Sequence, residues 1–187
     1  MPRANEVALT VPVSLGQWIW IRRQYRICFP REERKPFSVI LSMFRKGKTD
    51  VFCILAEGRL VGFAATINGE REILLDYLAV QQSRRGTGIG SAALRKLRER
   101  YAGKGLFVEI ESPYEPGADQ QVRLRRKAFY QSCGMKQIRV MADVFGVNME
   151  LLGWDCSLDF DGYKAFYHEN YGSWASEHII WKPYPAE

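Results

Sequence analysis

Seven consecutive residues in mid-chain, Arg84-Arg85-Gly86-Thr87-Gly88-Ile89-Gly90, are of the types that hold a phosphate. Glycines let the backbone take positive φ and come close to a ligand. From Ile89 onward Ala93, Leu94, Leu97 and Tyr101 recur at helical spacing, so the turn leads into a helix whose first N–H groups and positive dipole end face it. Such an arrangement binds anions. A nucleotide-triphosphate loop would need Gly-x4-Gly-Lys-Ser/Thr, and no Lys-Ser/Thr follows these glycines. A dinucleotide fingerprint is the closer rival, because Glu109 follows at about the expected ~20 residues. Counted from Gly86, however, its third glycine would fall at Ser91. A second feature is the pair Glu109 and Glu111, which share one face of an apolar strand and are costly there unless solvent, a cation or a substrate meets them.

The elements that must hold these residues can be read from the apolar patterning. Ile73 to Val80 is apolar on both parities except at Asp76, as in an interior strand covered on both faces. Before it, Trp18, Ile21, Tyr25 and Cys28 predict a helix stopped at Phe29-Pro30. A second helix is expected from about Lys35, with Phe37, Ile40, Leu41 and Phe44 inward and Gly47 past its end. Val51 to Ala56 and Arg59 to Ile67 read as a hairpin turning at Glu57-Gly58. After the long helix come a strand over Leu106 to Glu111 and a helix over Gln121 to Cys133 that packs Leu124, Ala128, Phe129 and Cys133. A hairpin follows, over Lys136 to Asp143 and Val147 to Trp154. Asp159 to Tyr171 predicts a last helix with Phe160, Tyr163, Tyr167 and Tyr171 on one side. Hairpins followed by a strand–helix–strand crossover imply an α+β fold, three layers (α/β/α) around a mixed, mainly antiparallel sheet of about six to seven strands.

The glycine turn also resembles the acetyl-CoA loop, Arg/Gln-x-x-Gly-x-Gly/Ala, of the GCN5-related N-acetyltransferase (GNAT) superfamily. Arg85 to Gly90 fits each fixed position, and Leu78-Ala79-Val80 is similar to that family's usual strand ending. Arg125 to Met135, with Tyr130 and a closing Gly134-Met135, resembles its later helix. The resemblance implies a GNAT fold and acetyl-CoA as co-substrate. It also implies direct transfer of acetyl to a primary amine on a small molecule or peptide. Leu78, Ala79 and Val80 would hold the acetyl carbonyl, and Arg85, Gly86, Thr87, Gly88, Ile89 and Gly90 the pyrophosphate. Tyr130 would touch the cofactor and act as general acid. The central strand and the next one would splay apart to pass the pantetheine arm. Glu109, within Val108-Glu109-Ile110, falls where ribosomal-protein alanine acetyltransferases place a glutamate base; its plain structural role would be a salt bridge to an arginine. Arg22, Arg23, Tyr25 and Arg26 become candidates for one wall of the acceptor site. The loop Ser112 to Asp119 departs from many relatives, which carry a cofactor-touching asparagine there. A non-catalytic acyl-CoA-binding or regulatory module is the alternative.

At 187 residues and 47% hydrophobic, the chain suits a single domain over 1–187, with a core at about 15–154 and an aromatic helix and tail at 155–187. Trp154 to Glu187 holds nine of the 24 aromatics, a density that suggests packing against the domain or a partner subunit, as in a homodimer. Twelve basic and five acidic residues lie between Arg84 and Lys136, a local +7, while the rest of the chain nets −1. That concentrates attraction for a polyphosphate around the glycine turn. Arg95, Lys96, Arg98 and Arg100 suit an ordinary solvated helix face. No nucleic-acid motif is present, and no metal is expected, because the four cysteines are dispersed and the only histidines are His168 and His178. Each cysteine reads as a small buried apolar residue. With no long apolar run and no hydrophobic segment at the start, no membrane span and a cytoplasmic location are expected.

Overall fold

The computed structural model describes residues 6–114, 117 and 119–185. Among these residues eight strands are hydrogen-bonded in the order β1-β2-β3-β4-β5-β7-β6-β8. The sheet is mixed and mainly antiparallel, as the patterning implies, but has eight strands where about six to seven are expected. The short edge strands β1 (Val7–Thr10) and β8 (Ile179–Trp181) lack the length that makes alternation legible. The chain divides into two compact units, Met1–Asn68 with Leu75–Ala102, and Gly69–Leu74 with Gly103–Glu187.

In the first unit, helix α1 (Leu15–Cys28) starts with a reciprocal cap: the Gln17 N–H donates to the Ser14 hydroxyl, and the Ser14 N–H to the Gln17 side chain. It ends before Pro30. Its inward residues Ile21 and Tyr25 pack with Ile40 of α2 (Phe37–Arg45) and with Val51, Cys53, Phe63 and Ala65 of the hairpin β2 (Thr49–Ala56) and β3 (Arg59–Asn68). The hairpin turns at Glu57 and Gly58, both at positive φ, the geometry that matches strand twist. Helix α3 (Ile89–Arg100) buries Ile89, Ala93, Leu94 and Leu97, and leaves Arg95, Lys96, Arg98 and Arg100 in solvent, Arg100 over the Phe52 ring. Its end is pinned by the Tyr101 hydroxyl, 2.7 Å from both Asp50 Oδ2 and Thr66 Oγ1.

In the second unit, β4 (Glu72–Val80) contributes Glu72 to Leu74, which pair in parallel with Gly105 to Phe107 of β5 (Gly105–Glu111). β5 runs antiparallel to β7 (Val147–Trp154), which pairs with β6 (Lys136–Val144) through a turn at Phe145 and Gly146. Helix α5 (Phe160–Tyr171) is capped by Asp159, whose carboxylate accepts from the Gly162 N–H at 2.8 Å. The tail then forms a short helix, α6 (Ser173–Glu177), and β8, which pairs with β6. Helix α4 (Gln120–Ser132) departs from expectation: Leu124 and Ala128 are exposed, Phe129 and Cys133 half-buried, and the side chain it buries is Lys127. Of the four free cysteines only Cys53 is fully buried.

Candidate active site

The glycine turn has the geometry its composition requires. β4 ends at Val80, a short turn over Gln82–Arg84 follows, and Gly86 and Gly88 take φ of 75° and 82° before α3 begins. A side chain is disfavoured there by conformation, while the space a Cβ would fill is open at both positions. The first turn of α3 carries no acidic residue and no side-chain cap, so its N–H groups point into an exposed, cationic loop. The loop is braced from within: Thr87 donates to the Arg84 carbonyl at 2.7 Å, and Arg85 Nε donates to the Val80 carbonyl at 3.1 Å. Arg85 also reaches Cys28 Sγ at 3.7 Å, tying the loop to the end of α1.

At the end of β4, the Ala79 carbonyl lies against Gly62 of β3, and the N–H of Gln81, the residue after the strand, donates to the Val61 carbonyl. Successive residues of a strand address opposite edges, so Leu78 and Val80 present their N–H groups away from β3. Among the described residues the β4–β5 ladder consists of three pairs and ends at Leu74 and Phe107.

Glu109, on β5, has partners that sequence reading did not identify. The hydroxyls of Tyr163 and Tyr167 both donate to its Oε1, at 2.6 and 2.8 Å. Both tyrosines are buried, and desolvation first, then the Glu109 charge, holds their phenols well above the ordinary range. They lie one helical turn apart on α5. That i, i+4 spacing was legible as a packing face, and a buried tyrosine needs a partner for its hydroxyl. Glu111 is paired with Arg123 of α4 at 2.9 Å.

Tyr130 lies half-buried on α4, its phenol pushed up to about 12 by desolvation against a smaller opposing effect of Arg126. It is therefore protonated throughout the neutral range. On the same helix, Lys127 Nζ is 2.9 Å from a carboxylate oxygen of the fully buried Glu150, which also accepts from Tyr184 at 2.8 Å. Lys127 donates to Tyr114 at 3.1 Å as well. Part of the divergent loop before α4 (115, 116 and 118) lies outside the described residues. Among the described residues no group of His, Cys, Asp or Glu is arranged to hold a metal ion, and no helix is long and apolar enough to cross a membrane.

Known proteins can be set beside this geometry. A GNAT-family protein from Bacteroides thetaiotaomicron is similar in structure, with a TM-score of 0.74 and 19% identity over 90% of this chain and 99% of that one. An aminoglycoside 6′-N-acetyltransferase complexed with coenzyme A gives 0.63 and 17% over 79% and 95%. The ribosomal-protein-S18-alanine N-acetyltransferase of Escherichia coli gives 0.56 and 15% over 82% and 96%. Among curated proteins none matches the sequence. The family model described as "Acetyltransferase (GNAT) family" matches residues 17–135, and the chain belongs to that family.

Proposed function

We propose that the protein transfers an acetyl group from acetyl-CoA directly to a primary amine. The observation that carries this reading is the loop Arg85 to Gly90. Its two glycines at positive φ, with open space at each Cβ, lead into an uncapped helix N-terminus. In this reading the turn cradles a diphosphate, and membership of the family supports coenzyme A as the molecule that carries it. The N–H groups of Leu78 and Val80, turned away from β3, suit the acetyl carbonyl and the negative charge that develops on it.

A primary amine that titrates near ~10.4, as a lysine side chain does in water, is mostly protonated at pH 7, and freeing its lone pair costs roughly 4–5 kcal/mol. In this reading Glu109, directly or through water, takes the amine proton, and the nitrogen attacks the thioester carbon. The C–S bond then breaks as Tyr130 gives its proton to the departing sulfur, and the extra proton left on the new amide nitrogen passes through water to restore the phenol. Tyr163 and Tyr167 fix the Glu109 carboxylate from α5. A cytoplasmic setting goes with this reading. So does a homodimer through the C-terminal segment, where Ile180 and Trp181 of edge strand β8 are 56% and 59% exposed; light scattering that finds a monomer removes the dimer.

The test of the reaction is thiol release. Acetyl-CoA with a panel of primary amines is expected to give free coenzyme A and acetylated amine in equal amounts. Tight acetyl-CoA binding with no amine-dependent thiol across the panel would favour a non-catalytic acyl-CoA-binding module instead.

A further inference from the structure

The first unit carries a hollow of about 500 Å³ whose lining includes Arg22 and Arg26 of α1, then Arg31, Arg34 and Lys35 of the following turn, with Tyr25 among them. Its size suits a small ligand or a few residues of peptide. Between Arg22 and Lys35 the sequence has six basic and two acidic residues. Lys35 is paired with Asp76 at 2.8 Å, and Arg34 donates to the Pro30 carbonyl at 3.3 Å. Among the described residues no carboxylate lies within ion-pair distance of Arg22, Arg26 or Arg31. Arg22 and Arg26 stand four apart on one helix face, where like charges repel. These arginines are exposed, and the hollow they line is joined through Tyr25 and Lys35 to the strand that leads into the glycine turn. Tyr25 is 2% exposed, and its hydroxyl is 3.1 Å from that of Tyr77, while Lys35 holds Asp76. Asp76 and Tyr77 directly precede Leu78 on β4.

We propose that this hollow binds the acceptor, and that the acceptor is an amine bearing carboxylate or phosphate groups. Guanidinium forks match both groups in geometry and charge. The same positive field repels polycationic amines and favours the free base of the acceptor's own ammonium, the form that attacks. The reaction-based part of this inference rests on the acetyl-transfer reading; the binding part does not.

Kinetics with glutamate, phosphoethanolamine, spermidine and an aminoglycoside as acceptors test it. An anionic acceptor is expected to have at least tenfold higher kcat/KM than either polycation, with a KM that rises with salt as screening sets in. In the double variant Arg22→Gln, Arg26→Gln that KM is expected to rise at least tenfold, while the Kd of acetyl-CoA moves less than twofold. The faster of glutamate and phosphoethanolamine distinguishes carboxylate from phosphate. Preference for spermidine or the aminoglycoside, or a KM unmoved by the double variant, overturns the proposal. If acetyl-CoA binds but no amine is acetylated, the transfer reading fails separately. Calorimetry with glutamate and phosphoethanolamine then decides: binding weakened at least tenfold in the variant supports the anion site, and absent or equal binding overturns it.

Discussion

Tyr130 and Glu109 occupy the acid and base positions of this reading, and each makes a separable prediction. Tyr130→Phe should lower turnover at least tenfold while acetyl-CoA still binds; unchanged turnover would remove Tyr130 from the acid role. Because its phenol is pushed up to about 12, the acid stays protonated, and the kcat profile of the wild type should show no fall from Tyr130 ionisation up to pH 10. Tyr163→Phe removes a donor to a half-buried carboxylate without changing ring volume, at a cost of about 1.5–3 kcal/mol, read as a lower denaturant midpoint with an unchanged slope. Glu109 itself was legible in the sequence as an acidic residue on an apolar strand face. Its hydroxyl partners were not, because they lie 54 and 58 residues away, and spacing along a chain says nothing about which helix returns to cover a strand.

Among the elements, the turn from β4 into α3 carries the cofactor reading. Gly88 has φ +82°, where an alanine is strained by roughly 1–2 kcal/mol. Gly88→Ala is therefore expected to weaken acetyl-CoA binding at least tenfold in calorimetry while the protein still folds. The β4 strand, the turn and α3 were all legible, since apolar parity, glycines and helical spacing are local properties. Helix α4 was legible as a helix but not in its orientation. Treating Leu124 and Ala128 as inward followed hydrophobicity, whereas a long-range ion pair decides the matter by drawing Lys127 inward to Glu150. Lys127→Ala would leave that carboxylate buried and uncompensated, a loss of about 3–5 kcal/mol, measurable by chemical denaturation.

Across the chain, buried tyrosine hydroxyls set the response to alkali. Desolvation raises the phenols of Tyr77 and Tyr101 in the first unit and of Tyr163 and Tyr167 in the second. An unfolded tyrosine ionises near ~10, so above that pH the unfolded chain sheds protons that the folded chain retains. The stability these groups contribute is fully present below pH ~10, and each loses up to about 1.4 kcal/mol per pH unit above it. Thermal unfolding should accordingly be insensitive to these groups from pH 8 to 9.5 and fall steeply beyond 10. At this scale the mixed sheet was legible from the order of hairpins and crossover, but the outer strands β1 and β8 were too short to announce themselves. Acetyl transfer at the β4–α3 loop is tested most directly by a single-turnover reaction with acetyl-labelled coenzyme A and an amine. The expected result is label appearing on the amine at the rate of thiol release, with both lost in Tyr130→Phe. Label that stays on bound coenzyme A in the presence of every amine tried would contradict it.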